Sequence, residues 1–180
     1  MIKGLSMFSN VGIAETYLKE IGIDIIIANE LDSNRANLYK ELYGKTKMIQ
    51  GDIRDKIDEI IEISLKNKVQ FLIATPPCQG FSIAGRRDYT DDRNDLIHYV
   101  LKAIDKINPE YVVIENVQNF LKHSITYGKY KGSIISVIKR KFSNKYNIEH
   151  GILNAKDFGV PQKRKRVFFV ASHKKFEKNI

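Results

Sequence analysis

The sequence has few of the features that bind metals, form cross-links or enter membranes. Its 180 residues include one cysteine, so no disulfide can form within the chain. A structural zinc site, which needs several ligands, is not expected either. No apolar run approaches the length of a membrane span, and the N-terminus lacks the long apolar core of a signal peptide. We therefore expect a cytoplasmic protein with no metal and no membrane partner.

The composition is that of one globular domain with an excess of positive charge. A hydrophobic content of 43% is enough to build the core of a single α/β domain of this length. The formal net charge of +9 favours a polyanionic partner, although a generically basic protein would have the same balance. We see no repeat, linker or low-complexity tract.

Apolar runs alternate with helical patterns along most of the chain, which predicts an α/β fold with a doubly wound, mostly parallel sheet and a late antiparallel hairpin. The domain is expected to span residues 1–172, followed by a polar tail over 173–180. The predicted strands are 2–8, 24–29, 48–50, 71–74, 111–114, 148–154 and 166–171. The predicted helices are one through residue 18 to about 21, one capped by Ser33, and 55–66, 95–107 and 132–142.

Cys78 follows the predicted buried strand 71–74, within the sequence TPPCQGFS at 75–82. The carboxyl ends of such strands are where open α/β sheets bind ligands. Pro76 and Pro77 stiffen the chain before the cysteine, since each proline fixes its own φ. A lone intracellular cysteine is usually a small buried apolar group. The two prolines and the polar residues that follow favour a directed nucleophile instead.

Three further strand ends carry candidate cofactor ligands. The first is the turn FSNVG at 8–12, where backbone N–H groups could meet a nucleotide-like ligand, although an ordinary βα connection is about as plausible. Glu30 ends the second strand, where it could accept hydrogen bonds from ribose hydroxyls. Asp52 follows the third strand, where it could meet an adenine edge. Each acid alone could equally be a helix cap or a solvated turn residue, but together they favour a nucleoside site.

Two late segments complete the candidate site. Glu115 ends the fifth predicted strand and should face Cys78 across a crevice, which suggests nucleophilic attack assisted by proton donation, although Glu115 could instead cap the next helix. The basic run QKRKR at 162–166 leads into an apolar strand. Alternation would send Arg164 and Arg166 to one face, in the site, and Lys163 and Lys165 to DNA phosphate or solvent.

Together these segments resemble the C5-cytosine DNA methyltransferases, the bacterial modification methylases. The segments that carry the resemblance are FSNVG at 8–12, NE at 29–30, GDI at 51–53, PPCQGFS at 76–82, DR at 92–93, ENV at 115–117 and QKRKR at 162–166. The resemblance implies the S-adenosylmethionine-dependent methyltransferase fold. It also implies S-adenosyl-L-methionine as cofactor and methyl transfer to C5 of a cytosine flipped out of double-stranded DNA, in a restriction-modification system, through a covalent Cys78 intermediate.

The resemblance also assigns roles to individual residues. The implied catalytic residues are Cys78, Glu115, Arg166 and Arg164. The implied cofactor-binding residues are Phe8, Ser9, Asn10, Gly12, Glu30, Leu31, Asp52, Ile53 and Pro76. The implied contacts to DNA or to the flipped base are Pro77, Gln79, Ser82, Arg93, Asn116 and Val117.

The chain departs from the family pattern in two places. Ser6, Asn10 and Ile13 stand where the first motif usually has an acid and more glycine. Family members also continue past the basic run into a target-recognition domain, which implies a fragment or one subunit of a split enzyme whose second subunit recognises DNA. A non-catalytic DNA-binding remnant is the alternative. A nucleotide-dependent oxidoreductase with a redox cysteine is disfavoured, because a full Gly-x-Gly-x-x-Gly turn and a partner thiol are missing.

Overall fold

A seven-stranded sheet forms the centre of the protein in a computed structural model, which describes residues 1–77 and 96–176. The strand order is β3-β2-β1-β4-β5-β9-β8, and β6 and β7 form a separate two-stranded sheet. The strands are β1 (Ile2–Met7), β2 (Ile23–Glu30), β3 (Lys47–Gln50), β4 (Phe71–Ala74), β5 (Tyr111–Val117), β6 (Ser124–Tyr127), β7 (Tyr130–Ser133), β8 (Tyr146–Asn154) and β9 (Lys165–His173).

The first five strands are parallel, and the last two run against them. β1 pairs in parallel with β2 on one side and β4 on the other, and β4 continues in parallel to β5. β9 then pairs antiparallel with both β5 and β8. The predicted α/β class, the mostly parallel doubly wound sheet and the late antiparallel hairpin are therefore confirmed.

Within the part of the chain that the structure describes, four α-helices connect the strands: α1 (Ser33–Leu42), α2 (Ile53–Asn67), α3 (Leu96–Ile107) and α4 (Ile134–Phe142). Apolar residues recur at helical spacing in α2 and α3, and the main core includes Ile57, Ile60, Val100 and Ile104 together with strand residues such as Leu72. Each fully buried side chain of this size stabilises the fold by about 1.5–3 kcal/mol. α3 ends as predicted before Asn108, whose φ of 54° lies in the left-handed region.

The second face of the sheet carries a smaller apolar cluster. Ile25, Phe71 and Ile73 form its buried part, and Leu18 and Val113 pack against it. Throughout residues 1–77 and 96–176, the helices are too short or too polar to span a membrane.

The first predicted helix differs from the structure. Residues 13–21 form two short 3-10 helices, Ile13–Glu15 and Leu18–Ile21, instead of one α-helix. Gly12 before them and Gly22 after them are both left-handed, with φ of 83° and 84°. The segment between these two turns is too short to gain much from cooperative helix formation. Ser33 is also not the cap of α1, because Asp32 accepts the capping hydrogen bond from the Arg35 backbone N–H.

Two differences appear later in the chain. The β6–β7 hairpin was not predicted, although the Tyr127–Tyr130 pair encloses a two-residue turn with Gly128 at φ 57°. Glycine favours that position in type II′ hairpin turns. The last strand is also longer than predicted, since β9 continues through His173, which is 9% exposed and is followed by the 3-10 helix Lys174–Phe176.

Candidate active site

The carboxyl ends of β1 and β4 lie side by side at the centre of the sheet. The Thr75 N–H donates to the Met7 carbonyl over 3.2 Å, and Thr75 Oγ1 donates to the Phe8 carbonyl over 2.9 Å. Strand order reverses at β1, since β2 and β3 lie to one side and β4 and β5 to the other. Ligands of open α/β sheets bind at such a switch point. The turn after β1 therefore lies next to the segment that leads to Cys78.

The turn after β1 has an unusual backbone. Phe8 and Asn10 have φ of 60° and 53°, and Gly12 has φ of 83°. Asparagine tolerates the left-handed region, whereas an aromatic residue there carries strain that the surrounding structure must hold. Ser9 between them is 5% exposed, and its backbone N–H donates to the Asn29 carbonyl over 2.9 Å. The turn is thus a fixed loop with defined backbone directions.

Glu30 joins this turn to the end of β2. Its carboxylate accepts from the Asn10 backbone N–H over 2.9 Å and from the Asp32 backbone N–H over 3.0 Å. Neighbouring Asn29 is 1% exposed and donates through Nδ2 to the Gly51 carbonyl over 3.1 Å. The first, second and third strand ends are therefore connected. A carboxylate has about four acceptor sites, so two N–H groups leave Glu30 with capacity for hydroxyl donors.

Asp52 lies where the sequence places it, directly before α2, and it is also the N-cap of that helix. Its Oδ1 accepts from the Arg54 backbone N–H over 2.9 Å and lies 3.5 Å from Arg54 Nε. Both of these contacts use the same oxygen, and Oδ2 takes no part in them. The two neighbouring candidates differ in exposure: Ile53 is 3% exposed within the core, whereas the Leu31 side chain is 63% exposed.

Glu115 and Arg166 form an ion pair across β5 and β9. Arg166 Nε lies 3.0 Å from Glu115 Oε1, and both side chains are about three-quarters buried. Burial raises the pKa of the Glu115 carboxyl above its ordinary value, and the charges of Arg166 and Arg164 act in the opposite direction. Glu115 lies within β5 and is not a cap of the following helix, so the strand extends past its predicted end at Ile114.

Asn116 connects β5 to the segment before Cys78. It is 2% exposed, and its Nδ2 donates to the Pro76 carbonyl over 2.9 Å, while its Oδ1 accepts from the Val117 backbone N–H. Pro76 is buried and Pro77 is half-buried. The other predicted residues of this segment, Cys78, Gln79, Ser82 and Arg93, lie outside the described residues.

Arg164 and Arg166 line the same cleft as Glu115, together with Ser9 and Asn10. The cleft has a volume of about 560 Å³. Lys163 and Lys165 are exposed and are not among its lining residues. The cleft thus brings residues of the turn after β1 together with the acid of β5 and the arginines at the start of β9.

The apolar wall of this cleft was not predicted. Ile13 and Phe158 line it and are 76% and 66% exposed, beside Leu153 and Phe168. Phe158 lies in the 3-10 helix Ala155–Phe158. The first N–H of this helix, from Ala155, donates to the backbone carbonyl of Arg164 over 3.0 Å. Large exposed apolar side chains around a polar centre are typical of a ligand site. Their isolated positions in polar segments gave little signal in the sequence.

A buried carboxyl group behind the turn was also missed. Glu15 is 4% exposed and accepts hydrogen bonds from Ser6 Oγ and from the Tyr39 hydroxyl. Burial raises the pKa of Glu15, and these two donors lower it. Tyr43, one helical turn after Tyr39, donates its hydroxyl to the Gly12 carbonyl over 2.7 Å. Ser6 stands where the first motif of the resembled family usually has an acid, and its hydroxyl group instead donates to the carboxyl group of Glu15.

Comparisons with known proteins agree on one family. The family described as C-5 cytosine-specific DNA methylase matches residues 2–180. The Type II methyltransferase M1.HgaI of Avibacterium volantium is 46% identical over 172 residues, which cover 92% of this chain and 48% of that protein. The Type II methyltransferase M.AquIA of Picosynechococcus sp. is 32% identical, over 94% of this chain and 71% of that protein.

Solved structures show the same fold. A putative DNA modification methyltransferase encoded within an E. coli prophage has a TM-score of 0.79 at 28% identity, and the match covers all of this chain and 49% of that one. The Spodoptera frugiperda DNMT2 mutant structure has a TM-score of 0.77 at 22% identity, over all of this chain and 52% of that one. The chain spans about half the length of most of these relatives.

We predict that Gly12→Ala destabilises the protein more than Gly22→Ala. Both glycines have φ near 84°, so each alanine should cost about 1–2 kcal/mol from the left-handed backbone alone. A Cβ at Gly12 would also lie 2.2 Å from Tyr43 Cε2, whereas nothing lies within 4 Å at Gly22. The forced shift should add about 1–3 kcal/mol, measured by urea denaturation. Equal losses in the two variants would contradict the packing of Tyr43 on this turn.

We predict that Arg166→Gln raises the pKa of Glu115 further, because it removes the nearest positive charge. A raised carboxyl pKa favours the neutral form in the folded state. Its contribution to stability is therefore fully present below the unfolded value of about 4.5 and is lost as pH rises through the folded pKa. In Arg166→Gln that loss should occur at higher pH.

The measurement is a carbon-13 NMR titration of glutamate carboxyls, with Glu115 assigned from a Glu115→Gln spectrum. Arg54→Gln, which removes the arginine paired with Asp52, is the matched control and should leave the Glu115 pKa unchanged. An unchanged or lower Glu115 pKa in Arg166→Gln would show that the pair does not control this carboxyl group.

Proposed function

The chain belongs to the C-5 cytosine-specific DNA methylase family, and from this premise we propose that it is the catalytic part of a DNA (cytosine-5-)-methyltransferase. The proposed reaction transfers a methyl group from S-adenosyl-L-methionine to C5 of a cytosine in DNA through a covalent Cys78 intermediate. Because the ring atoms are inaccessible within the base stack, the cytosine must be flipped out of the duplex.

The Glu115–Arg166 pair is the observation that carries this proposal. Glu115 lies near the carboxyl end of β5, and its Oε1 is 3.0 Å from Arg166 Nε. The next residue, Asn116, donates a hydrogen bond to the carbonyl of Pro76, which precedes Cys78 by two residues. A partly buried acid with a raised pKa suits a reaction in which a ring nitrogen must gain a proton while a nucleophile adds to the same ring.

The residues at the strand ends fit the proposed cofactor. S-adenosyl-L-methionine carries an adenosine and supplies an electrophilic methyl group bound to a sulfonium. Glu30 has acceptor capacity for ribose hydroxyls, and Asp52 Oδ2 is suited to accept from the adenine amino group. The Phe8–Gly12 turn presents backbone groups beside them, with Phe8 against the adenine.

The chemistry at cytosine follows from the residues of the crevice. Cytosine C5 is a weak nucleophile, so the Cys78 thiolate adds to C6 and the C5=C6 electron pair moves onto C5 and the ring. Glu115 donates or shares a proton at N3 and limits the negative charge on the ring. Transfer of the methyl group would break its bond to the sulfonium and leave S-adenosylhomocysteine. The C5 proton would then pass to a base, N3 would return its proton to Glu115, and the S–C6 bond would break to restore the double bond and the thiolate.

The arginines and the proline segment would position the base and the DNA. Arg166, which forms an ion pair with Glu115 through Oε1, would contact the flipped base and keep the carboxyl group oriented. Arg164 would orient the loop or bind a phosphate. Pro77, Gln79, Ser82, Arg93, Asn116 and Val117 remain proposed contacts to base or backbone.

Recognition of a DNA sequence is proposed to need residues beyond this chain. The chain spans about half of the 46%-identical relative, so a second segment or a partner subunit would supply base-specific contacts. The names of the relatives as Type II methyltransferases support a role in a restriction-modification system. A DNA-binding remnant without catalysis is the competing proposal, and it predicts no covalent adduct.

We predict that Asp52→Asn weakens binding of S-adenosylhomocysteine about 10- to 100-fold. The variant keeps Oδ1 as helix cap and replaces the second oxygen with an NH₂ group that cannot accept from adenine. Loss of one hydrogen bond to a charged group costs about 1.5–3 kcal/mol. The measurement is isothermal titration calorimetry. Asp55→Asn, an exposed acid in the first turn of the same helix, is the control and should bind normally. Equal affinity in both variants would remove Asp52 from the cofactor site.

We predict that the chain forms a covalent adduct with duplex DNA containing 5-fluorocytosine when S-adenosyl-L-methionine is present. Fluorine at C5 cannot leave as the proton does, so the Cys78–C6 bond should persist on a denaturing gel. Cys78→Ser should form no adduct, and Glu115→Gln should slow its formation by about 10²–10⁴-fold. DNA without fluorine is the control. A folded chain that binds S-adenosylhomocysteine but forms no adduct would favour the non-catalytic remnant.

A further inference from the structure

The positive charge of the protein is concentrated in one segment. Residues 116–148 contain no aspartate or glutamate, although the chain has 21 such residues, and they contain seven of its 30 lysines and arginines. The rest of the chain is almost balanced, with 23 basic and 21 acidic residues. The seven are Lys122, Lys129, Lys131, Lys139, Arg140, Lys141 and Lys145. This segment, and not the composition as a whole, therefore accounts for most of the net charge.

The β6–β7 hairpin sorts this segment into two faces. Ile125, Tyr127 and Tyr130 pack against the main core. The opposite face pairs Thr126 with Lys131, and Ser124 with Ser133, and all four of these side chains are exposed. The outer face therefore presents three hydroxyl groups and an ammonium group. Hydroxyl, lysine and arginine side chains are common donors to phosphate oxygens of DNA.

Two further cations lie at the turn end of the hairpin, against the Tyr130 ring. The Arg140 guanidinium of α4 is 5.5 Å from the Tyr130 ring centroid, and its Nη1 approaches the Lys131 carbonyl at 3.5 Å. Lys129 Nζ is 5.7 Å from the same ring. Among the described residues, Lys129, Lys131 and Arg140 form no ion pair, whereas Lys141, next to Arg140 in α4, pairs with Asp105 at 3.0 Å. The grouping of three like charges costs electrostatic energy, which a bound polyanion would recover.

The hairpin also lies beside the catalytic edge of the sheet. β5 carries Glu115 and is followed by the 3-10 helix Gln118–Lys122 and then directly by β6. The His98 ring, in the first turn of α3, hydrogen-bonds the Thr126 carbonyl over 2.7 Å. α3 begins at Leu96, after the segment that contains Cys78. The basic face is thus anchored to both elements that flank the proposed site of chemistry.

We propose that the exposed hydroxyl and basic residues of the hairpin, Ser124, Thr126, Lys129, Lys131 and Ser133, together with Arg140, bind the sugar-phosphate backbone of duplex DNA next to the flipped base. The proposal rests on the proposed function only in taking DNA as the ligand. Phosphate contacts fix position without reading sequence, so this face would hold the duplex on the catalytic part whatever its target sequence. It would be separate from any base-reading segment outside the chain.

The test compares two triple variants with the same loss of charge. The first is Lys129→Gln/Lys131→Gln/Arg140→Gln. The control is Lys19→Gln/Lys45→Gln/Lys47→Gln, three exposed lysines outside the catalytic edge, two of them at edge strand β3. Binding of a fluorescent random-sequence duplex is measured by anisotropy over a range of salt, with S-adenosylhomocysteine present. Each lost phosphate contact should reduce the slope of log K against log salt by about 0.9.

The hairpin variant is expected to bind duplex at least about tenfold more weakly at low salt, with the slope reduced by about 2–3, while the control changes little. Equal weakening in both variants would overturn the proposal in favour of general charge attraction. No weakening in the hairpin variant, or no binding by the unmodified chain at low salt, would also overturn it and favour an acidic protein partner for this face. Calorimetric titration with S-adenosylhomocysteine reports on the cofactor site separately, so failure of the two proposals can be distinguished.

Discussion

The parallel pairing of β1 with β4 is the constraint on which the site depends. It places the end of the first strand against the end of the fourth, although more than sixty residues separate them in the chain. Thr75 secures this junction by donating to the backbone of Met7 and Phe8. Because β5 then adds to β4, the turn after β1 and the acid of β5 lie on opposite sides of the Pro76–Pro77 segment. The cofactor half and the base half of the proposed site are neighbours for this reason alone.

The turn after β1 illustrates how a missing acid can be replaced from elsewhere in a fold. A serine at the end of a central strand cannot supply a carboxylate, but Ser6 binds the buried Glu15, which Tyr39 also binds. Tyr43, at the C-cap of α1, donates to the Gly12 carbonyl, and Glu30 accepts from the Asn10 N–H. Two side chains from outside the turn therefore hold a backbone with left-handed residues, which would be unfavourable if it were held only by its own sequence.

Most of the fold was predictable because its strands are short apolar runs separated by helical patterns, and their ends carry the polar residues. The places of Glu30, Asp52 and Glu115 at or after strand ends were predicted in this way. The contacts of Glu15 were not predicted, since they depend on Tyr39, 24 residues away, and on burial that no local pattern reveals. The β6–β7 hairpin was missed because its alternation covers only four residues per strand. Short elements stabilised by tertiary packing leave little local signal.

Glu115 is subject to two opposing effects, and their balance explains the geometry of the pair. Burial raises its pKa and favours a neutral acid that can give a proton to a ring nitrogen, whereas the two arginines favour the carboxylate. Arg166 contacts Oε1, so a nucleobase could approach Oε2 without displacing Arg166. The arginine then orients the carboxyl group, and its charge keeps the pKa from rising as far as burial alone would drive it. A carboxyl group held in this way can gain and lose a proton within one reaction cycle, which a fully buried acid or a fully solvated one would do less readily.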